Sequence, residues 1–216
     1  MLKKIITILI FFSSTVLLHS ETKLSTRPVQ ASMTFNGQLF STQSYEYDAR
    51  GNLVKISENN YMEKKLSHII YKYNPENRLT EMKEFRENTL NSIIIPEYNA
   101  EGKVIKKIHY SPDNIIKKYT VFEYDKNLLT RSNDYYSSDI MYSYSVLNYK
   151  DGILNSIHMC SINEYTMDLT VIYNSDRLII GHKIKHSSIP DADFRATYEY
   201  EKGDITEASL HEIFSY

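Results

Sequence analysis

The sequence predicts an all-β fold, an antiparallel meander of about seven tandem β-hairpin repeats, on three observations. Tyrosine recurs with a period near 25, at Tyr47, Tyr73, Tyr98, Tyr124, Tyr149, Tyr173 and Tyr200, with spacings of 26, 25, 26, 25, 24 and 27. Each of these anchors is followed by a polar residue, then a turn-former, then an aliphatic residue. The composition suits a pleated, half-buried surface: 19 Tyr and 8 Phe but no Trp, with only 6 Gly and 5 Pro, and every Tyr at position 45 or later.

The chain opens differently from its remainder. Lys3 and Lys4 precede an almost entirely apolar run from Ile5 to Leu18, and the polar segment from Ser20 to Lys23 follows. That pattern reads as a secretory signal peptide over residues 1–20, too short in its apolar part for a membrane span. Residues 21–32 show no pattern and read as a flexible leader to a single repeat domain, 33–216. The segment from Phe35 to Leu39, with Asn36-Gly37 at its centre, reads as a tight hairpin that opens the array.

The repeats follow. The polar residues after the anchors are Asp48, Asn74, Asn99, Asp125, Lys150, Asn174 and Glu201, and an Asp or Asn there can cap the turn with its own side chain. The turn-formers are Gly51, Asn77, Gly102, Asn127, Gly152, Asp176 and Gly203, with glycine free to take a positive φ. The aliphatic residue comes six positions past the anchor in Leu53, Leu79 and Val104. In Leu129, Leu154, Leu178 and Ile205 it comes five past, which predicts shorter tips for the last four hairpins. Alternation supports the strands: Ile69, Tyr71 and Tyr73 share a face, as do Thr120, Phe122 and Tyr124. The far-end connections are polar and read as loops: Ser57–Lys65, Arg86–Ser92, Ser111–Asn114, Ser132–Asp139, Ser161–Asn163 and Ser187–Asp193. A sheet of about fourteen strands does not stay flat. The expectation is a strongly curved sheet, either closing towards a barrel or stopping at a half-shell, with an inner surface lined by Tyr rings.

The run Tyr45-Glu46-Tyr47-Asp48-Ala49-Arg50-Gly51-Asn52-Leu53 resembles the YD repeat, also called the RHS repeat: Tyr-x-Tyr-Asp, two residues, Gly, a polar residue, Leu. Tyr71 to Leu79 is a second good copy, and Phe122 to Asp125 and Tyr198 to Glu201 carry fragments. The resemblance covers roughly residues 40–210. It implies the hairpin unit and, loosely, an envelope or surface setting. Large members of that family wind such hairpins into a shell around a toxic domain; the self-cleaving core and effector of those proteins have no recognisable counterpart here.

The search for chemistry points away from catalysis. No Gly-rich phosphate loop, Gly-x-Ser-x-Gly elbow, His-Glu-x-x-His motif or Cys-x-x-Cys pair occurs. The single cysteine, Cys160, cannot form an internal disulfide and reads as a small half-buried residue. His68, His109, His158, His182, His186 and His211 read as ordinary strand residues with polar tips. Asp191/Asp193 and Glu76/Glu81 read as solvated turns; Lys64-Lys65, Lys106-Lys107 and Lys117-Lys118 read as solvent faces. The net charge of −2, more acidic once Lys3 and Lys4 are removed, gives no basic footprint for nucleic acid.

No cofactor, metal or catalytic residue is expected. The functional expectation is an exported, non-enzymatic binding or scaffold protein of the cell envelope, periplasmic, surface-held or secreted. It would recognise a glycan or a protein through a Tyr-rich sheet. The alternatives are an accessory or immunity factor that binds a secreted effector, and a glycosidase-like enzyme with a loop-built site, marked by two carboxylates in a groove.

Overall fold

The computed structural model describes residues 26–162 and 165–203. The signal peptide, Ile205, His211 and Asn163 lie outside the described residues. Fourteen strands follow one another: β1 (Thr26–Phe35), β2 (Gln38–Tyr47), β3 (Leu53–Asn60), β4 (Lys65–Tyr73), β5 (Leu79–Arg86), β6 (Thr89–Tyr98), β7 (Val104–Tyr110), β8 (Ile116–Asp125), β9 (Leu128–Tyr136), β10 (Met141–Lys150), β11 (Ile153–Ser161), β12 (Thr166–Tyr173), β13 (Ile179–His186) and β14 (Phe194–Lys202). Each pairs antiparallel with its neighbour in sequence, and β1 pairs with β14 to close a barrel. The half-shell alternative is thereby excluded.

The first hairpin turns at Asn36 and Gly37, both at positive φ (48° and 77°), the two-residue geometry that Asn-Gly favours. Six anchors then open hairpins whose return strands place an aliphatic residue opposite the tyrosine: Tyr47 with Leu53, Tyr73 with Leu79, Tyr98 with Val104, Tyr124 with Leu129, Tyr149 with Leu154 and Tyr173 with Ile179. The sixth pairing corrects the sequence reading, which gave Leu178. Its tip is long like the first three, because Asn174 caps it as Asp48, Asn74 and Asn99 cap theirs. In each case the side-chain oxygen accepts the backbone N–H four residues on, at 2.8–2.9 Å.

That shared tip needs a positive φ at the fourth position past the anchor. Gly51, Asn77 and Gly102 supply it, and in the sixth hairpin Arg177 carries it at 61°, not Asp176. An arginine there meets a Cβ clash that glycine avoids. Replacing Arg177 by glycine should therefore raise stability by about 1 kcal/mol in a denaturant titration. An unchanged or lower midpoint would show that Arg177 is not strained. Gly152 turns the fifth hairpin at φ 74°. Gly203 does not take a positive φ; its missing Cβ makes room for Arg27, whose Nε would lie 2.7 Å from one.

Two further differences have one cause each. Residues 26–32, expected as a flexible leader, are strand from Thr26 onward, because β1 pairs with β14 on one side and β2 on the other. Ser57–Asn60, Thr89–Ser92 and Ser132–Tyr136, expected as connections, are also strand. Their polarity marks an inward polar wall, not a loop.

Each of the six tyrosine-anchored hairpins carries a β-bulge at the same place. One extra residue, Val54, Thr80, Ile105, Thr130, Asn155 or Ile180, sits just past the aliphatic partner, and Val29 does the same where β1 meets β14. A bulge bends and twists its strand. Seven in register around the sheet supply the curvature that closes it.

Candidate functional site: the barrel interior

Alternation and bulges together decide which side chains face inward. At the hairpin-tip end the interior is a ring of tyrosines over aliphatic residues. Leu53, Leu79, Leu129, Leu154 and Ile179 are buried, while the seven anchors above them are half-buried. The backbone ladder between adjacent hairpins stops short of the aliphatic residue; β7 and β8, for example, pair only from Lys106 onward. The tyrosine of the next hairpin continues it. Tyr98 Oη donates to Leu79 O at 2.8 Å, Tyr124 to Val104 O at 2.8 Å, Tyr149 to Leu129 O at 2.9 Å and Tyr173 to Leu154 O at 2.7 Å. Tyr200 bonds to Ile179 O in the same way. The pattern runs across the seam: Tyr200 faces Pro28, and Tyr47 Oη donates to Pro28 O at 2.7 Å.

Burial holds these phenols protonated. Tyr124 and Tyr173 are pushed up to about 12 by desolvation, and Tyr47, Tyr149 and Tyr200 are raised further, so the hydroxyls remain donors above the ordinary phenol range. The ring faces, not the hydroxyls, are what the anchors offer to the lumen. Arg27 lies over Tyr47 at 4.5 Å and Lys103 over Tyr124 at 5.4 Å.

Deeper in, the wall divides. From β11 through β14 to β1 it is mainly apolar: Ile157, Met159, Met167, Leu169, Val171, Ile184, Phe194, Ala196 and Ala31. From β2 to β10 it becomes polar beyond the first layer. Gln43, Glu58, Ser41 and Asn60 come from β2 and β3, and all four are buried. Ser67 and Arg86 extend this wall on β4 and β5, with Ser67 Oγ 3.3 Å from a Glu58 oxygen. Burial raises the Glu58 carboxyl above its ordinary range, against the hydrogen bond from Ser67. Its second oxygen and the amide nitrogen of Asn60 meet no protein partner. Further round, Asp134 accepts from Thr120 at 2.7 Å and from Ser143 at 2.6 Å.

Lys107 is buried, and Lys118 lies opposite His109 on the inward face. Both were expected at solvent faces. Alternation sends one member of each lysine pair inward, and Lys106 alone of its pair lies outside, over the Tyr119 ring at 4.4 Å. Desolvation and these two lysines depress His109 well below its usual value. His158 and His182 do not approach one another: His182 faces the interior beside Tyr198, and His158 faces outward. Among the described residues no three His, Cys, Asp or Glu side chains converge as metal ligands.

The outer wall carries ion pairs on β2–β3, on β4–β5 and beside β14. Lys55 pairs with Glu46 at 2.9 Å, Lys72 with Glu81 at 2.6 Å and Arg195 with Asp193 at 2.8 Å. The acidic pairs expected as solvated turns separate here, since Glu81 binds lysines on the wall and Asp193 binds Arg195.

No protein-family model and no curated protein matches the sequence. Solved structures do. A porin-like protein from Bacteroides uniformis aligns with TM-score 0.50 and 9% identity over 83% of this chain and 99% of that one. A porin-like protein from Bacteroides vulgatus aligns with TM-score 0.49 and 11% identity over 82% and 99%. The TcdB2-TccC3 protein aligns with TM-score 0.30 and 12% identity over 87% of this chain and 12% of that one. What the chain shares with the first of these, at such identity, is the closed antiparallel barrel fold.

Proposed function

We propose that this chain is an exported, non-enzymatic binding protein of the cell envelope that takes a glycan in its lumen. One observation carries the reading: buried polar atoms without protein partners, on Glu58 and Asn60, face the same interior as half-buried tyrosine rings. Sugars present C–H faces to aromatic rings and hydroxyls to such polar atoms. The export signal of the sequence and the likeness to the porin-like protein from Bacteroides uniformis support the envelope setting. The charged outer wall speaks against a lipid-facing barrel, where each Lys or Arg near mid-membrane costs about 2–4 kcal/mol. The YD-repeat resemblance fits the hairpin unit.

Glu58→Gln separates binding from stability. The folded state holds the Glu58 proton more tightly than the unfolded state does. Its ionised form therefore costs stability above the folded pKa, and the cost fades as pH falls. At neutral pH the glutamine variant should melt higher by a few degrees, an effect on the order of 1 kcal/mol. It should also bind envelope oligosaccharides at least roughly tenfold more weakly by calorimetry, the loss expected when a buried charged partner goes. A variant that gains stability and keeps its affinity would refute the lumen site. A wild-type chain that binds no oligosaccharide, but captures one envelope protein, would favour the accessory-factor reading.

A further inference from the structure

The outer face of β11 and β12 carries an arrangement that the lumen does not use. Alternation places His158 and Cys160 side by side on β11, on the face opposite the core residues Ile157 and Met159. The register sets Asp168 of β12 directly across from His158. His158 Nδ1 lies 2.7 Å from Asp168 Oδ1, and His158 Nε2 lies 3.2 Å from Cys160 Sγ. An ionised carboxylate only accepts, so Nδ1 carries the proton and Nε2 turns its lone pair to the thiol. From the other side, β10 brings Tyr144 opposite Cys160, with its hydroxyl hydrogen-bonded to the sulfur. Arg131 of β9 lies 4.4 Å over the Tyr144 ring. The group borders solvent: Cys160 is half-buried, and the His158 and Asp168 side chains are 41% and 60% exposed.

A nucleophile bonded to a base, which is itself oriented by a third group, is the arrangement that activates a thiol. Here it sits on the outer face of the barrel sheet. The backbone N–H groups around it are engaged in the ladder, so nothing is left to hold the oxyanion of an acyl transfer. Thiol–disulfide exchange needs no such hole, only a thiolate and access. We propose that Cys160 is a reactive thiol, activated by His158 and Asp168, that forms a mixed disulfide with a small anionic disulfide. The Cys160 S–H proton passes to Nε2 of His158. The thiolate attacks one sulfur, a new S–S bond forms as the old one breaks, and the departing thiolate takes the proton from the imidazolium. One disulfide is consumed and one is formed, with no other oxidant. Arg131 supplies the positive charge that favours an anionic partner. Lys185, opposite Asp168 on β13, adds to it.

Because Cys160 is the only cysteine in the chain, the reaction reports on one site. The folded chain is mixed with dithiobis(nitrobenzoate), a dianion, and with neutral hydroxyethyl disulfide, and the rate is followed against pH. The wild type should react faster than either variant that loses the base or the group that orients it. His158→Gln and Asp168→Asn should lose about tenfold or more near pH 7. Arg131→Gln should slow the anionic reagent by about threefold and leave the neutral one unchanged, as a surface charge acts on encounter. Mass spectrometry should find the adduct on Cys160. Circular dichroism checks that each variant is folded, and Asp168→Asn serves if His158→Gln is not. Equal pH profiles for the wild type and Asp168→Asn would overturn the activation. An Arg131 variant slowed equally with both reagents, or with neither, would overturn the preference for an anion.

Discussion

Replacing Tyr124 by alanine should destabilise the barrel by about 3 kcal/mol, the low end of the range for truncating an aromatic in a core, since its ring is half-buried. For a chain of this size that is a fall of roughly 6–12 °C in melting temperature. Two losses combine. The ring leaves the aliphatic layer that it covers. The hydroxyl leaves Val104 O at the point where the β7–β8 ladder has ended. Phenylalanine separates the two: Tyr124→Phe removes only the hydroxyl and should cost about 1 kcal/mol. The same pair of substitutions at Tyr47 should behave alike, although its acceptor, Pro28 O, lies on the closing strand. If Tyr124→Ala unfolded within about 0.5 kcal/mol of the wild type, the size of a neutral surface change, the tyrosine ring would not be what joins the hairpins.

Acid should weaken the fold from pH 6.5 downward, through the interior histidines. Burial lowers His182 to about 4, and His109 and His186 shift in the same direction. The folded state keeps His182 neutral, while the unfolded state takes up a proton near 6.5. Its contribution is therefore complete above 6.5 and is lost as pH falls towards 4, at most about 3 kcal/mol because part of the ring meets the lumen. Glu58 acts in the opposite sense, shedding its penalty as it is protonated. The check is a comparison of His182→Gln with the wild type by denaturant unfolding at neutral pH and near pH 4.5. The gap between them should narrow or reverse in acid. A gap of the same size at both pH values would place His182 outside the acid response.

The hairpin unit was legible because its signals are local. The anchor, the capping Asp or Asn and the positive-φ glycine lie within about six residues, and the turn chemistry is the same wherever it occurs. The sixth tip was misread because Leu178 and Ile179 are both aliphatic. Only the bulge register tells which of them faces Tyr173. The polar wall was misread for a related reason. Segments such as Ser57–Asn60 and Ser132–Tyr136 have the composition of loops, yet each places alternate polar side chains in the interior. Composition cannot separate a solvated loop from a strand that lines a polar lumen.

The all-β class and most of the tyrosine-anchored tips were legible in the chain, since they follow from short-range sterics and alternation. That the sheet closes, that β1 completes it against β14, and which lysines, histidines and carboxylates share the interior are visible in the folded barrel alone. Closure is a sum of small bends at bulges around the ring, the seven beside the tyrosine anchors among them. A residue displaced past a single bulge changes face, so the neighbours of Glu58 or His182 depend on the whole ring, not on the few residues beside them in the chain.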